Sequence, residues 1–143
     1  MKMNVKRLVF WVTVLAFVAL GSQTGQAQSI QVRVLDGHSG KRISNEKVSV
    51  LIKGEKGARE YKTDDEGDFT LPINPSADIF VATEWRVTCR AVKPGVIPFV
   101  SVTTILQEGV TLPNTCGHAE SETIKGKLVI FTRKASFFEN FKR

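Results

Sequence analysis

Apolar and polar side chains alternate with a period of two along several short stretches of this chain. Ile30, Val32 and Val34 share one face against Gln31 and Arg33, and Val48, Val50 and Ile52 share one against Ser49 and Lys53. Successive side chains of a strand point to opposite sides, so this alternation predicts half-buried β-strands. Between the two lies D-G-H-S-G-K, a turn of glycines and of side chains that bond their own backbone. G-E-K-G is a hairpin candidate, and Ala58 to Thr63 predicts a further short strand. Asp64 to Gly67 turns the chain again, and Asp68 to Leu71 returns before Pro72, which has no N–H to donate, stops the ladder.

The second half continues the pattern with one long predicted strand, Ile79 to Ala91. Its alternation puts Ile79, Val81, Trp85, Val87 and Cys89 on one face and Glu84, Arg86 and Arg90 on the other, so Trp85 and Cys89 are expected to point into the core. V-K-P-G is a turn, and the β-branched run Ile97 to Ile105 predicts another strand. Gln107 to Gly126 reads as an irregular loop that Cys116 pins to the sheet. In the last strand, Lys127 to Arg133, the continuous apolar centre implies burial on both sides. The tail, K-A-S-F-F-E-N-F-K-R, differs from all of this: wound as a helix it sets Phe137, Phe138 and Phe141 beside one another, ringed by Lys134, Lys142 and Arg143. Either it folds back to seal one end of the fold, or these aromatics with Lys142 and Arg143 dock on a partner or an anionic membrane surface.

The N-terminus changes the picture. Lys2, Lys6 and Arg7 precede an apolar run from Leu8 to Leu20, and small residues Gly25 and Ala27 follow, which is the layout of a secretory signal peptide cut near Ala27. The apolar run is about 13 residues, short of the roughly 20 that span a bilayer. An uncleaved signal anchor is the alternative. Removing residues 1–27 takes away three basic and no acidic residues, so the formal charge falls from +6 to +3. The remaining length suits one domain, 28–133, followed by the tail 134–143. Nucleic acid is not an expected partner, since no basic helix or Lys/Arg cluster among aromatics occurs. An even pair of cysteines in an exported chain favours a Cys89–Cys116 disulfide, closing a loop of about 27 residues worth on the order of 3 kcal/mol. Free buried thiols or a metal pair are the alternatives.

The stretch V-L-D-G-H-S-G-K-R-I, the strand K-V-S-V-L-I-K and then T-D-D-E-G-D-F-T-L resemble the carboxypeptidase regulatory-like domain, one of the transthyretin-like, or prealbumin-like, β-sandwiches. This chain carries Val32 where that family often has glycine and Glu46 where it often has a small residue. The second half, through I-L-Q-E-G-V-T-L-P-N-T-C-G, G-K-L-V-I-F-T-R and the aromatic pair before Glu139, is similar to small exported bacterial proteins of unknown role that carry this domain. The resemblance implies an all-β fold, a single small antiparallel sandwich of about seven strands, and an accessory module without chemistry of its own.

The candidate chemistry is thin. Asp64, Asp65, Glu66 and Asp68 gather carboxylates around Gly67, as a calcium loop does, but without the alternating ligand spacing of an EF-hand. The two histidines, His38 and His118, sit in glycine-bearing loops, and Ser39 beside His38 is a neighbour in sequence rather than a triad partner. Ring-hydrolysing enzymes of the transthyretin-like class end in Y-R-G-S, whereas this chain ends in F-K-R. Trp85, Arg86 and Tyr61 are the residue types of a sugar-stacking face. The expectation is therefore an exported, non-catalytic β-sandwich that contacts a protein or envelope component and needs no cofactor. Carbohydrate or peptidoglycan binding is the main alternative, and a small hydrolase the remaining one.

Overall fold

The computed structural model describes residues 28–136 and Glu139. The signal-peptide expectation and the tail residues Phe137, Phe138, Phe141, Lys142 and Arg143 lie outside the described residues.

The alternating segments of the first half form strands where the pattern places them. β1 (Ser29–Asp36), β2 (Lys47–Ile52), β3 (Ala58–Lys62) and β4 (Asp68–Pro72) follow one another through the predicted turns. β5 (Asp78–Thr83) and β6 (Arg86–Thr88) come next, then the two-residue β7 (Val100–Ser101), the helix α1 (Val102–Gln107), β8 (Val110–Thr111) and β9 (Lys127–Lys134). One sheet has the order β4-β1-β9-β6, with β8 also paired to β9, and the other has the order β3-β2-β5-β7.

A single apolar cluster draws on both sheets: Ile30, Val32 and Val34 of β1, Leu71 of β4, and Leu128 and Ile130 of β9 meet Val48, Val50, Ile79 and Val81 of the second sheet. Tyr61 of β3 stacks on Phe69 of β4 at 5.0 Å between centroids, joining the sheets at one side. β9 is buried on both faces as its composition implies. Leu128 and Ile130 enter the shared cluster, while Val129 and Phe131 pack outward with Leu35 and Cys89 in a second one, beneath the loop that carries Cys116.

Three expectations are corrected. The sheets are not purely antiparallel: β1 and β9 pair in parallel from Gln31 with Lys127 to Asp36 with Thr132, and β8 pairs in parallel with β9. A parallel pair needs a crossover, and here most of the fold lies between the two strands. The long strand Ile79 to Ala91 is two strands. The chain bends at Glu84–Trp85 and passes from one sheet to the other, which resets the inside–outside phase, so Arg86 is buried and Trp85 faces solvent. Ile97 to Ile105 is mostly not strand. Ser101 accepts the Thr104 N–H as an N-cap, and Val102 and Ile105, three apart on the resulting helix, fill the core.

Candidate functional site

The cysteines are joined as expected, Cys89 to Cys116 with 5.3 Å between Cα atoms. Their bond fastens the loop after β8 over the outer face of the first sheet. The Leu112 N–H donates to the Val129 carbonyl at 2.9 Å, the Thr115 N–H to the Cys89 carbonyl at 3.1 Å, and the Asn114 amide to the carbonyls of Gly37 and Ala119 at 2.8 and 2.9 Å. Asn114 thus ties its own loop to the turn at Gly37 beside the sulfur bridge. Against this loop opens a shallow cleft of about 480 Å³, lined by Leu112, Pro113 and Phe131 together with Asn114, His118 and Ser121.

A second feature was not legible as a site. Glu46, only 4% exposed, accepts the Trp85 N–H at 3.0 Å through Oε1, and its own N–H donates to the Thr63 hydroxyl at 2.9 Å. Burial pushes the Glu46 carboxyl above its ordinary range, and the Trp85 N–H and the Arg86 charge pull against that shift. Next along the chain, the buried Arg86 guanidinium donates to the Thr132 hydroxyl at 2.8 Å and to the Asp36 carboxylate. The Thr83 hydroxyl closes the bend by donating to the Arg86 carbonyl at 2.9 Å. The corner at Glu84–Trp85 is therefore held from both sides, and it presents the Trp85 indole at 55% exposure. The one sequence signal of this arrangement was Glu46 standing where a small residue was expected.

The other candidates are drawn apart. Asp36 spends its carboxylate on the His38 and Ser39 N–H groups at 3.0 and 2.9 Å and on Arg86, while His38 itself is exposed. Burial would raise the Asp36 carboxyl, but the Ser39, His38 and Arg86 hydrogen bonds outweigh it and hold the group below the usual carboxylate range. His118 lies in an exposed stretch of the cleft loop, and Tyr61 is turned inward onto Phe69, away from any sugar-stacking role.

The acidic run disperses in the same way. Asp64 accepts the Glu66 and Asp68 N–H groups at 2.9 Å each, Glu66 pairs with Arg42, and Asp68 takes both Arg33 nitrogens at 2.7 Å. Among the described residues no group of three or more His, Cys, Asp or Glu is placed to hold a metal ion, and no helix is long and apolar enough to cross a membrane. Glu139 belongs to the tail and ties it to the end of β9, accepting both Arg133 nitrogens at 2.9 and 2.6 Å.

No family model, curated protein or solved structure matches this chain.

Proposed function

We propose that the chain is an exported, non-catalytic β-sandwich module of the transthyretin-like kind, resembling the carboxypeptidase regulatory-like domain, which docks a protein or envelope component through the Trp85 corner. The apolar cluster shared by two sheets supports the sandwich reading, and the Cys89–Cys116 bond supports export into an oxidising compartment. The observation that carries the docking reading is the solvent-facing indole on a bend locked by Glu46, Thr83 and Arg86. Tryptophan is among the residues that dominate interface energies, and a backbone already held in one shape loses less entropy on binding.

The test places a photo-reactive phenylalanine analogue at position 85 of the full chain in its native cells, with the same analogue at the exposed position Glu60 as control. A discrete adduct at 85 and none at 60 supports the reading. Adducts at neither, with the protein folded and exported, overturn it.

Carbohydrate binding is favoured by the same indole, since a flat exposed ring suits stacking on a sugar, and Glu84, next in sequence and paired with Lys47 at 3.1 Å, supplies polar groups on the same bend. With the leader removed Trp85 is the single tryptophan. Its fluorescence should then respond in a saturable way to soluble peptidoglycan fragments under this reading, and stay unchanged under the first.

A further inference from the structure

We infer that the loop between β6 and β7 is a lipid-surface anchor: a pre-shaped apolar tip that enters the headgroup–acyl boundary of an anionic membrane. Residues 91–97, A-V-K-P-G-V-I, are all exposed, and Val92, Val96 and Ile97 show 50%, 55% and 50% of their surface to solvent. Three branched aliphatics gathered in one short exposed loop mark a contact surface rather than the scattered apolar residues any protein carries.

The loop is built rather than slack. The Val96 N–H donates to the Lys93 carbonyl at 3.1 Å, and Gly95 at φ +77 has the conformation required at the third position of a type II turn, with Pro94 before it where that turn favours proline. A Cβ placed on Gly95 would meet nothing within 4 Å, so the turn projects clear of the fold. Both legs are fixed. Arg90 donates to the Val81 carbonyl at 3.0 Å and lies over the Phe80 ring at 4.1 Å, and on the return leg Phe99 is half-buried, with Lys53 6.0 Å from its ring centre.

The chemistry favours lipid over a protein pocket. From Trp85 to Gln107 the chain has no acidic residue, and with Arg86 buried on Asp36 the basic residues next to the tip are Arg90 and Lys93. Lys93 stands within the tip, where its stem can lie along apolar surface while its ammonium meets headgroup phosphates. The tip offers no polar side chain besides this lysine. A convex apolar point without directional groups suits a fluid boundary, which demands no shape match, better than a specific cavity. The inference rests on residues other than Trp85 and is separable from the docking proposal.

The test is co-sedimentation of the leader-free protein with vesicles of phosphatidylcholine alone and of phosphatidylcholine mixed with phosphatidylglycerol. The wild-type protein should partition onto the mixed vesicles. Each branched aliphatic moved out of water contributes about tenfold in partition, so the double variant Val96→Asp, Ile97→Asp should bind about a hundredfold more weakly. Its melting temperature should be unchanged, because these side chains face solvent. Lys93→Glu should weaken binding to the mixed vesicles and leave binding to phosphatidylcholine alone as it was.

Wild-type protein that stays in the supernatant with both vesicle types overturns the inference. So does equal binding by the double variant, or loss of all binding on truncation after Ser136, which would make the tail the anchor. Self-association abolished by the double variant, without lipid binding, would assign the tip to a second copy of the chain and also overturn it. Vesicle binding with no adduct at position 85 would uphold this inference and reject the docking proposal, and the reverse pair of results would do the opposite.

Discussion

Glu46 and Trp85 are joined across 39 residues by one hydrogen bond, from the Trp85 N–H to a buried carboxylate at 3.0 Å. Removing the carboxylate leaves that part-buried N–H without its acceptor. Glu46→Ala should therefore destabilise the fold by about 2–4 kcal/mol, the cost of a lost buried acceptor plus the cavity. Glu46→Gln keeps an oxygen of the same reach and sheds a desolvated charge, so it should stay within about 1 kcal/mol of the wild type. Urea unfolding of both variants decides this; equal losses in the two would mean that the corner does not depend on the acceptor.

This pair also shows where sequence reading stops. The strands Val48–Ile52 and Lys127–Arg133 were legible because each carries its environment in its own composition, one face or two. The bend at Glu84–Trp85 was not. Alternation runs unbroken through Trp85 and Val87, and what resets its phase is a set of partners far along the chain: Glu46 for the Trp85 N–H, and Asp36 and Thr132 for the Arg86 guanidinium. The helix at Val102–Gln107 was misread for a similar reason. Its valine and threonines favour strand locally, but two buried positions three apart and a capping Ser101 favour helix once β1 and β9 offer a surface to cover. The Cys89–Cys116 pairing was readable from parity and the expectation of export, whereas the loop it fastens, with Asn114 tying it to the turn at Gly37, was visible only as glycines, a proline and an asparagine.

The disulfide should stabilise the protein by about 3 kcal/mol, the loop-closure value for a separation of 27 residues. The replacement Cys89→Ser with Cys116→Ser should lower stability by that order. In the wild type, mass measurement after alkylation should show no added label until a reductant is present. Label taken up by the folded, unreduced protein would show free thiols and refute the bond.

Gly109 lies at φ +81, and a Cβ placed on it would meet the Ile124 carbonyl oxygen at 2.1 Å. Alanine there adds a backbone clash to the conformational cost, and Gly109→Ala should lose about 3 kcal/mol or more. Gly54 serves as the control: its φ is +89, but a Cβ would find nothing within 4 Å. Gly54→Ala should cost only the left-handed backbone term, about 1–2 kcal/mol. Thermal melts of the two variants, compared with the wild type, isolate the contact with Ile124. Equal melting temperatures would show that the backbone at Ile124 gives way freely.

Asp68 is expected to set part of the acid limit of the fold. Burial alone would push its carboxyl up, but two Arg33 hydrogen bonds and the charges of Arg33 and Lys127 outweigh it and hold the group below the usual range. Asp36 is held low in the same direction. A carboxyl whose folded pKa lies below its unfolded value binds fewer protons in the folded state. Its contribution is therefore complete above the unfolded pKa of about 4 and is lost as pH falls through the lower folded value. Glu46, shifted upward, acts in the opposite sense and gains stability as it is protonated. Glu139, held down to about 2 chiefly by its Arg133 hydrogen bonds, acts in the same sense as Asp36 and Asp68. With three carboxyls against one, the stability of the wild type should fall below about pH 4. Asp68→Asn should be less stable at neutral pH by about 2–3 kcal/mol, since Arg33 and Lys127 lose their shared carboxylate, and it should show a shallower decline in acid. Urea midpoints measured from pH 7 downward test both parts. A variant that declines as steeply as the wild type would place the acid-sensitive group elsewhere.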